Sequence, residues 1–387
     1  MPAPASTVPT LAPGDTPGGV DDPINRRILA VSEDRLQGFH RRPMHEVAER
    51  SGVPVETVVA RIQAMLRSGA VRRVRQTMLA TSLAPGALVA WRVPAAKLLA
   101  AFDFMAQEDP FSGHVVLRTT DGQTPGSGYR LWTTLKVPRP FSLEAHARWL
   151  QGQTGAEAFR LLPAKKLFAL GVGHVRRKGL EPGARTDAPG RVQDTAMVDL
   201  DARQWRVLDA LKREFEPGEL DAALGPAGTV WAGRAAEAGE TLDGFYEVAQ
   251  SLQAAKVVGR FSTFLEHVKP HADGARVTRF NALFHWKVPG GKEIEAGLEI
   301  GRHHCMTHAY WREGGPEFGG VNMMGVSHGT DKARVMEHKA AIDAHLEEAG
   351  IPVGYTNVFW GGKSEIKPSE VSPRVYAAFA AERGLLA

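Results

Sequence analysis

The strongest constraint on this fold is an internal duplication. The segment NALFHWKVP (Asn281–Pro289) echoes GALVAWRVP (Gly86–Pro94) and sets Trp286 opposite Trp91, 195 residues later. Upstream, WAGRAAEAGETLDGFYEVAQSLQAAKVVGRF echoes HEVAERSGVPVETVVARIQAMLRSGAVRRV. A repeat of that length is one supersecondary assembly made twice, each copy completing its core against the other. With 387 residues the chain exceeds what one ordinary core supports, so several domains are expected.

Within a copy the pattern changes period twice. Pro23 to Ala80 reads as three short helices (Asn25–Ser32, Met44–Ser51, Pro54–Ser68) with a turn at Gly52, then a strand from Val71 to Thr77 bearing Arg72, Arg73 and Arg75. From Gly86 the order is strand (ALVAWRVP), helix (Ala95–Gln107), strand (GHVVLRTT), Gly-rich turn, strand (YRLWTTLKVP), helix (Leu143–Gln153) and strand (FRLLPAKKLFAL). The fold class that follows is α+β, with two tandem copies of a winged helix-turn-helix and a ferredoxin-like βαββαβ unit whose free sheet face takes a ligand or the second copy. The boundaries are a tail (1–22), helix-turn-helix 1 (23–83), βαββαβ unit 1 (84–178), a Pro/Gly/Asp-rich linker (179–197), helix-turn-helix 2 (198–277) with an insertion around Gly218–Gly228, and βαββαβ unit 2 (278–387). The two βαββαβ units are expected to pack together as an intrachain pseudo-dimer, burying the faces a single unit would expose.

A helix-turn-helix invites a DNA-binding reading, and a net charge of +4 favours an anionic partner. The candidate recognition helices argue against DNA. VETVVARIQAMLR offers only Arg61 and Arg67 and opens with Glu56, and TLDGFYEVAQSLQ has no Lys or Arg, whereas a groove-reading helix needs donors and cations near its N-terminus. Both modules therefore read as scaffolds without sequence-specific nucleic-acid binding. The tail is rich in Pro, Gly, Ala and Thr, with neither the basic start nor the apolar core of a signal peptide, and predicts disorder. No apolar run is long enough to span a membrane, and the single cysteine, Cys305, fits a reducing cytoplasm.

Gly301 to Asp331 carries His303, His304, His308 and His328 in apolar runs around a Gly-rich turn, the pattern of a hairpin. A lone histidine is usually structural, and His303 and His304 are read so. For His308 and His328 the duplication argues otherwise. His308 in MTHAYWRE falls opposite His114 in SGHVVLRT, and His328 falls opposite Lys136 in YRLWTTLKVPR. Nine of the 14 histidines lie in the second half, which suggests one working site and one degenerate copy.

At this point the chain resembles a family. A helix-turn-helix followed by βαββαβ is the layout of the Lrp/AsnC regulators, but the phrases resemble siroheme decarboxylases, two-subunit enzymes of d1-type haem and alternative haem biosynthesis. That family's Ile-Arg-Arg-Phe-like run is matched by Val71-Arg72-Arg73-Val74 and loosely by Val258-Gly259-Arg260-Phe261. Its Asn-Ala-aliphatic-Trp strand is matched by Asn281–Pro289, its Ser-His-Cys-Tyr phrase by Thr307-His308-Ala309-Tyr310, and its Met-Ile-His-Gly phrase by Gly325-Val326-Ser327-His328-Gly329. LLPAKKLFALGVGH resembles the close of the D-type subunit and VFWGGKSEIK that of the L-type, as in a D–L fusion. The departures are Ala309 for the Cys, Gly325 to Ser327 for the Met-Ile, and the insertion near Gly218.

The resemblance implies non-oxidative removal of two acetate carboxylates from siroheme as CO2, giving didecarboxysiroheme. A binder of that macrocycle needs an apolar slot and rim cations. Phe284, Trp286, Tyr310, Met323 and Met324 are the candidate slot; Arg72, Arg73, Arg260, Lys287, Arg302 and Arg312, with His114, are the candidate rim. His308 and His328 are the candidate proton donors, or one of them ligates the iron that the substrate carries. With no G-x-G-x-x-G after a strand and no P-loop, no cofactor is expected and no protein-bound metal is implied. Two other classes stay open: an Lrp/AsnC-type DNA-binding regulator, and a non-catalytic haem sensor or carrier.

Overall fold

The structure is a computed structural model and describes residues 16–170, 180–188, 190, 192, 197–266 and 279–385. Asp22 starts α1 (Pro23–Ser32), its carboxylate accepting from the Ile24 and Asn25 amides while Pro23 occupies the first turn, where no donor is needed. A short β1 (Leu36–Gln37) leads to α2 (Pro43–Ser51), which ends at Gly52 with φ 65°, a left-handed stop that a Cβ would strain. α3 (Val55–Arg67) and β2 (Val71–Met78) follow. The first sheet unit is β3 (Gly86–Arg92), α4 (Leu98–Gln107), β4 (Ser112–Thr119), β5 (Leu131–Lys136), α5 (Leu143–Thr154) and β6 (Ala158–Pro163), with β7 (Lys166–Leu170) directly after.

The second copy runs α6 (Ala202–Lys212), a 3-10 turn at Pro217–Leu224, α7 (Trp231–Glu237), α8 (Leu242–Ala254) and β8 (Val258–Leu265). Its sheet unit is β9 (Phe280–Lys287), α9 (Glu293–Arg302), β10 (Met306–Trp311), β11 (Met323–Gly329), α10 (Lys332–Glu348) and β12 (Tyr355–Ile366), and α11 (Pro373–Glu382) ends the chain.

The two helical modules share one core, in which Ile28, Val59 and Ile62 of the first meet Trp231, Phe245 and Phe261 of the second. β2 and β8 pair antiparallel from Val71↔Leu265 to Met78↔Val258, with β1 on the outer side of β8. The insertion foreseen near Gly218 packs on α3, where the Gln63 amide donates to the Pro217 carbonyl (2.9 Å) and the Asp221 carboxylate (2.8 Å). Arg61 is buried and paired with Asp22 at 3.1 Å, so α3 exposes only Glu56, Ala60 and Arg67.

The remaining strands form one nine-stranded sheet, β6-β3-β5-β4-β12-β9-β11-β10-β7. In each half the four strands lie in the order fourth, first, third, second. β12 joins the halves: Tyr355–Gly361 pairs with β9, and its Trp360–Ile366 end pairs with β4. FRLLPAKKLFAL, expected as one strand, splits into β6 and β7, because Pro163 has no N–H to carry the ladder onward. Those two strands are opposite edges of the sheet yet only residues 164–165 separate them, so the sheet curls until its edges meet. One face packs on helices: α4, α5 and α11 over the first half, α9 and α10 over the second. The other face encloses an interior lined by Val116, Trp132, Leu162, Leu283, Phe318, Met324 and Phe359.

The tail and the linker depart from expectation where they are described. Asn25 donates to the Pro17 and Gly19 carbonyls at 2.8 Å each, docking the end of the tail on α1. The linker lies on α9 and α10 through the Thr186 amide to Arg302 O (3.0 Å), the His304 amide to Ala184 O (3.0 Å), and Arg334 to Glu181 (2.6 Å). Residues 1–15, and 267–278 at the second module boundary, lie outside the described residues. Among the described residues no helix is long and apolar enough to cross a membrane.

Candidate functional site

Strand parity sorts the candidate residues. On β9, Ala282, Phe284 and Trp286 face the helices and Leu283 faces the interior; on β11, Met323 faces the helices and Met324 and Val326 the interior. The register pairs His308 with Val326, Tyr310 with Met324, and His328 with Asn281. His308, His328, Tyr310 and Asn281 thus share the interior face, and all four are half-buried.

The two histidines meet at one hydroxyl. A register shift between Met306 and His308 brings Thr307 Oγ1 within 3.1 Å of His308 Nδ1 and 3.5 Å of His328 Nδ1, while that hydroxyl donates to Val326 O at 2.9 Å. A hydroxyl has one proton, so toward both imidazoles this oxygen accepts. His308 also stacks on Tyr310, with ring centroids 6.0 Å apart and planes 14° from parallel.

Behind His328 stands Asn281, its amide nitrogen 3.1 Å from His328 Nε2 and its oxygen 3.2 Å from Arg118 Nη1. Arg118 belongs to β4 and reaches Asn281 across β12 at Gly361, which pairs with both residues. A Cβ at Gly361 would sit 3.2 Å from Asn281 Cβ, in the way of that approach. Arg118 also donates to Phe359 O at 3.3 Å, and burial brings its pKa down to about 9.

The first half holds the counterpart. Lys136 lies opposite Gly86, and burial, with help from Arg312, lowers its pKa to about 8. His114 Nε2 is 2.9 Å from Ser364 Oγ. Arg312 mirrors Arg118: it crosses to the carbonyl of Leu162 on β6, and its guanidinium lies over the Tyr310 ring at 4.4 Å. Burial lowers Arg312 and raises the Tyr310 hydroxyl.

The arginines of β2 and β8 form a second group. Arg72, Arg75 and Arg260 lie 6.0, 5.6 and 5.8 Å from the ring centre of Phe264. Arg73 donates at 2.7 Å to the carbonyl of Ile366, the pairing partner of His114, and bridges to Glu214 at 3.1 Å. Burial, and then Arg73, bring Arg72 and Arg75 down to about 10, and neither makes an ion pair or side-chain hydrogen bond among the described residues. This group therefore borders the first-half strand end.

Several expected residues stand elsewhere. Trp286 is fully buried on the helix side, where its indole donates to Asp343 at 2.6 Å, so it is core and no part of the slot; Phe284 and Met323 share that side. Lys287 lies at the far end of β9, six residues or about 20 Å from Asn281, and is exposed. Arg302 ends α9 and is held by Glu299 (2.8 Å) and Thr186 O (2.9 Å) beneath the linker. Of the four histidines expected on the hairpin, only His308 and His328 lie on its strands; His303 is buried at the end of α9, its Nε2 2.8 Å from His345 Nδ1. Arg118, Thr307, Asn281 and Gly361 were not singled out in the sequence. A signal for Arg118 was present, since the alignment of His114 with His308 also aligns Arg118 with Arg312.

Residues 83–169 match the family described as the AsnC-like ligand binding domain. No curated protein matches the chain. Two solved structures share its fold. One is the siroheme decarboxylase NirDL, 18% identical with a TM-score of 0.62 over 93% of this chain and 98% of that one. The other is the same protein in co-complex with an iron-uroporphyrin III analogue, 17% identical with a TM-score of 0.61 over 93% and 99%. The chain thus contains an AsnC-like domain within a NirDL-like fold.

Proposed function

We propose that this protein is a siroheme decarboxylase, with the architecture of a D–L fusion in which two helix-turn-helix modules are scaffolds and two ferredoxin-like units enclose the site. The observation that carries the reading is the convergence of His308 and His328 on the Thr307 hydroxyl, on the interior face of a fold shared with a siroheme decarboxylase. For each acetate, the C–C bond to the carboxylate breaks, CO2 leaves, the macrocycle holds the electron pair and a proton completes the methyl group. His308 and His328 supply and organise that proton. Tyr310 and Met324 give the site apolar surface, and Arg72, Arg73, Arg75 and Arg260, beside the first-half strand end, are the cations we assign to the ligand's carboxylates. Iron arrives with the substrate, and no further cofactor is needed. The proposed compartment is the cytoplasm.

The test is anaerobic titration with iron-uroporphyrin III, followed by incubation with siroheme and mass analysis. A Soret shift together with loss of one CO2 per acetate is the expected result. A shift without loss of mass makes the protein a carrier, and no shift ends the tetrapyrrole reading.

A further inference from the structure

The first-half end of the interior holds two cations and no anion. On β5, Leu131 and Leu135 pack on the helix side and Trp132 faces inward, so Lys136 shares the interior face with Trp132. Its Nζ lies over the bare backbone of Gly86, 3.2 Å from where a Cβ would stand, and the side chain is half-buried. Arg312 arrives from the other half. Its guanidinium donates to Leu162 O, lies over the Tyr310 ring and pairs with the Tyr310 hydroxyl, while its Nε–H is shut off from water with no acceptor. Leu162 pairs with Leu88 and Leu88 with Thr134, so the guanidinium sits one inward-facing position, about 7 Å of strand, from the row of Lys136.

Buried cations elsewhere in the chain have carboxylates: Arg61 has Asp22, Arg234 has Glu219 and Lys339 has Asp343. Among the described residues neither Lys136 nor Arg312 pairs with one, and burial, then Arg312, bring the Lys136 amine down to about 8. The pseudo-symmetric end differs in this respect. There the crossing arginine, Arg118, meets the neutral amide of Asn281, whereas Arg312 meets a second positive charge. Two desolvated cations without a counter-charge are costly, and an anion between them offsets that cost. We propose that Lys136 and Arg312 form an anion site at the first-half end of the interior that takes one carboxylate group. One oxygen accepts from the Lys136 ammonium, and the Arg312 Nε–H is the donor for the other. Arg312 stands four residues, about 13 Å of strand, beyond His308, so the site lies apart from the two histidines and does not need the function proposed above. The carboxylate belongs either to a small free acid or to an arm of a larger polycarboxylate.

The full chain, free of tetrapyrrole and labelled with 13C at lysine Cε, gives the test by NMR in chloride buffer. The resonance lost in Lys136→Met should titrate near pH 8, and saturating acetate should raise that midpoint by about 1–3 pH units, because a carboxylate in contact favours the charged ammonium. Metal-free uroporphyrin III is the second probe. The midpoint is the readout, since a ring current moves a chemical shift and leaves a pKa alone. A rise with acetate alone identifies a small free acid, a rise with uroporphyrin III alone identifies a carboxylate arm, and a rise with both admits either; each of these supports the site. If inorganic phosphate raises the midpoint and both carboxylates fail, the carboxylate assignment is overturned. A midpoint that none of the three moves overturns the site and leaves Lys136 as a stem packed over Gly86. Arg312→Met should raise the ligand-free midpoint and weaken acetate binding at least about tenfold. If that variant does not fold, the wild-type titration still decides. No step depends on turnover of siroheme, so failure of the proposed function leaves this result standing.

Discussion

Replacing Arg118 by methionine separates the energetic role of the Arg118–Asn281–His328 contacts from their functional one. No carboxylate among the described residues pairs with Arg118, and burial brings its pKa down from the ordinary arginine range to about 9. At about 1.4 kcal/mol per pH unit, the buried charge costs the folded state about 5 kcal/mol at neutral pH. Its bonds to Asn281 Oδ1 (3.2 Å) and Phe359 O (3.3 Å) are long and return about 1.5 kcal/mol each. Methionine keeps most of the apolar stem. Arg118→Met should therefore be about 2 kcal/mol more stable than the wild type in urea denaturation at pH 7, and should still decarboxylate poorly because Asn281 has lost its anchor. The pH dependence carries the same sign. The folded protein binds this proton more weakly than the unfolded chain, so the penalty is complete below about pH 9 and is relieved as pH rises from there toward the ordinary arginine range. The advantage of the variant should shrink above pH ~9. A loss of about 3–5 kcal/mol at pH 7 would mean that a buried ion pair had been severed, and the reasoning would be wrong.

Three further outcomes are expected. His308→Ala and His328→Ala should each lower decarboxylation by about a hundredfold or more, whereas His114→Ala and Lys136→Met should matter much less; near-normal turnover in the double His308, His328 variant would move the site to the first half. Arg72→Met combined with Arg75→Met should weaken iron-uroporphyrin III binding at least about tenfold in a Soret titration, since each guanidinium bond to a carboxylate contributes about 1.5–3 kcal/mol. Mobility-shift assays should show no operator-specific complex, because α3 exposes one arginine and α8 exposes no cation; a salt-sensitive nanomolar footprint would reverse that.

How much of this was legible depends on which physical signal each residue left. The duplication, the first three helices and the hairpin holding His308 and His328 were readable, because period and repeat spacing are local properties, although the first helix starts at Pro23, two residues before the Asn25 that its periodicity gave. The side of the sheet was not. NALFHWK alternates, with Ala282, Phe284 and Trp286 at one parity and Asn281, Leu283 and His285 at the other, but β9 is covered on one face by helices and on the other by the curled interior, so the strand alone did not say which parity faces the site. His285 is the one that lies inside, where burial and Arg118 bring it down to about 3 and keep it neutral. Pro163 marked the break between β6 and β7, but that the two strands become opposite edges of one closing sheet is a property of the whole molecule. Thr307, Asn281 and Gly361 are ordinary residue types that matter through register alone.

The two halves also explain why only one of them carries the Asn281–His328 pair. In the first half Gly86 stands where the second has Asn281, and Lys136 where it has His328. A Cβ on Gly86 would lie 3.0 Å from Lys136 Cγ and 3.2 Å from its Nζ, so the lysine stem occupies the space that an asparagine would need. Glycine therefore goes with the lysine, and asparagine with the histidine. A single exchange leaves a contradiction: Gly86→Asn collides with Lys136, and Lys136→His gives a ring with no amide to set its tautomer. Divergence between the halves had to pass through a pair of changes, and each pair is self-consistent in the interior it occupies. The crossing arginines Arg118 and Arg312 stayed in both halves because each ties one half to the fourth strand of the other, a task that is the same on either side of the joint.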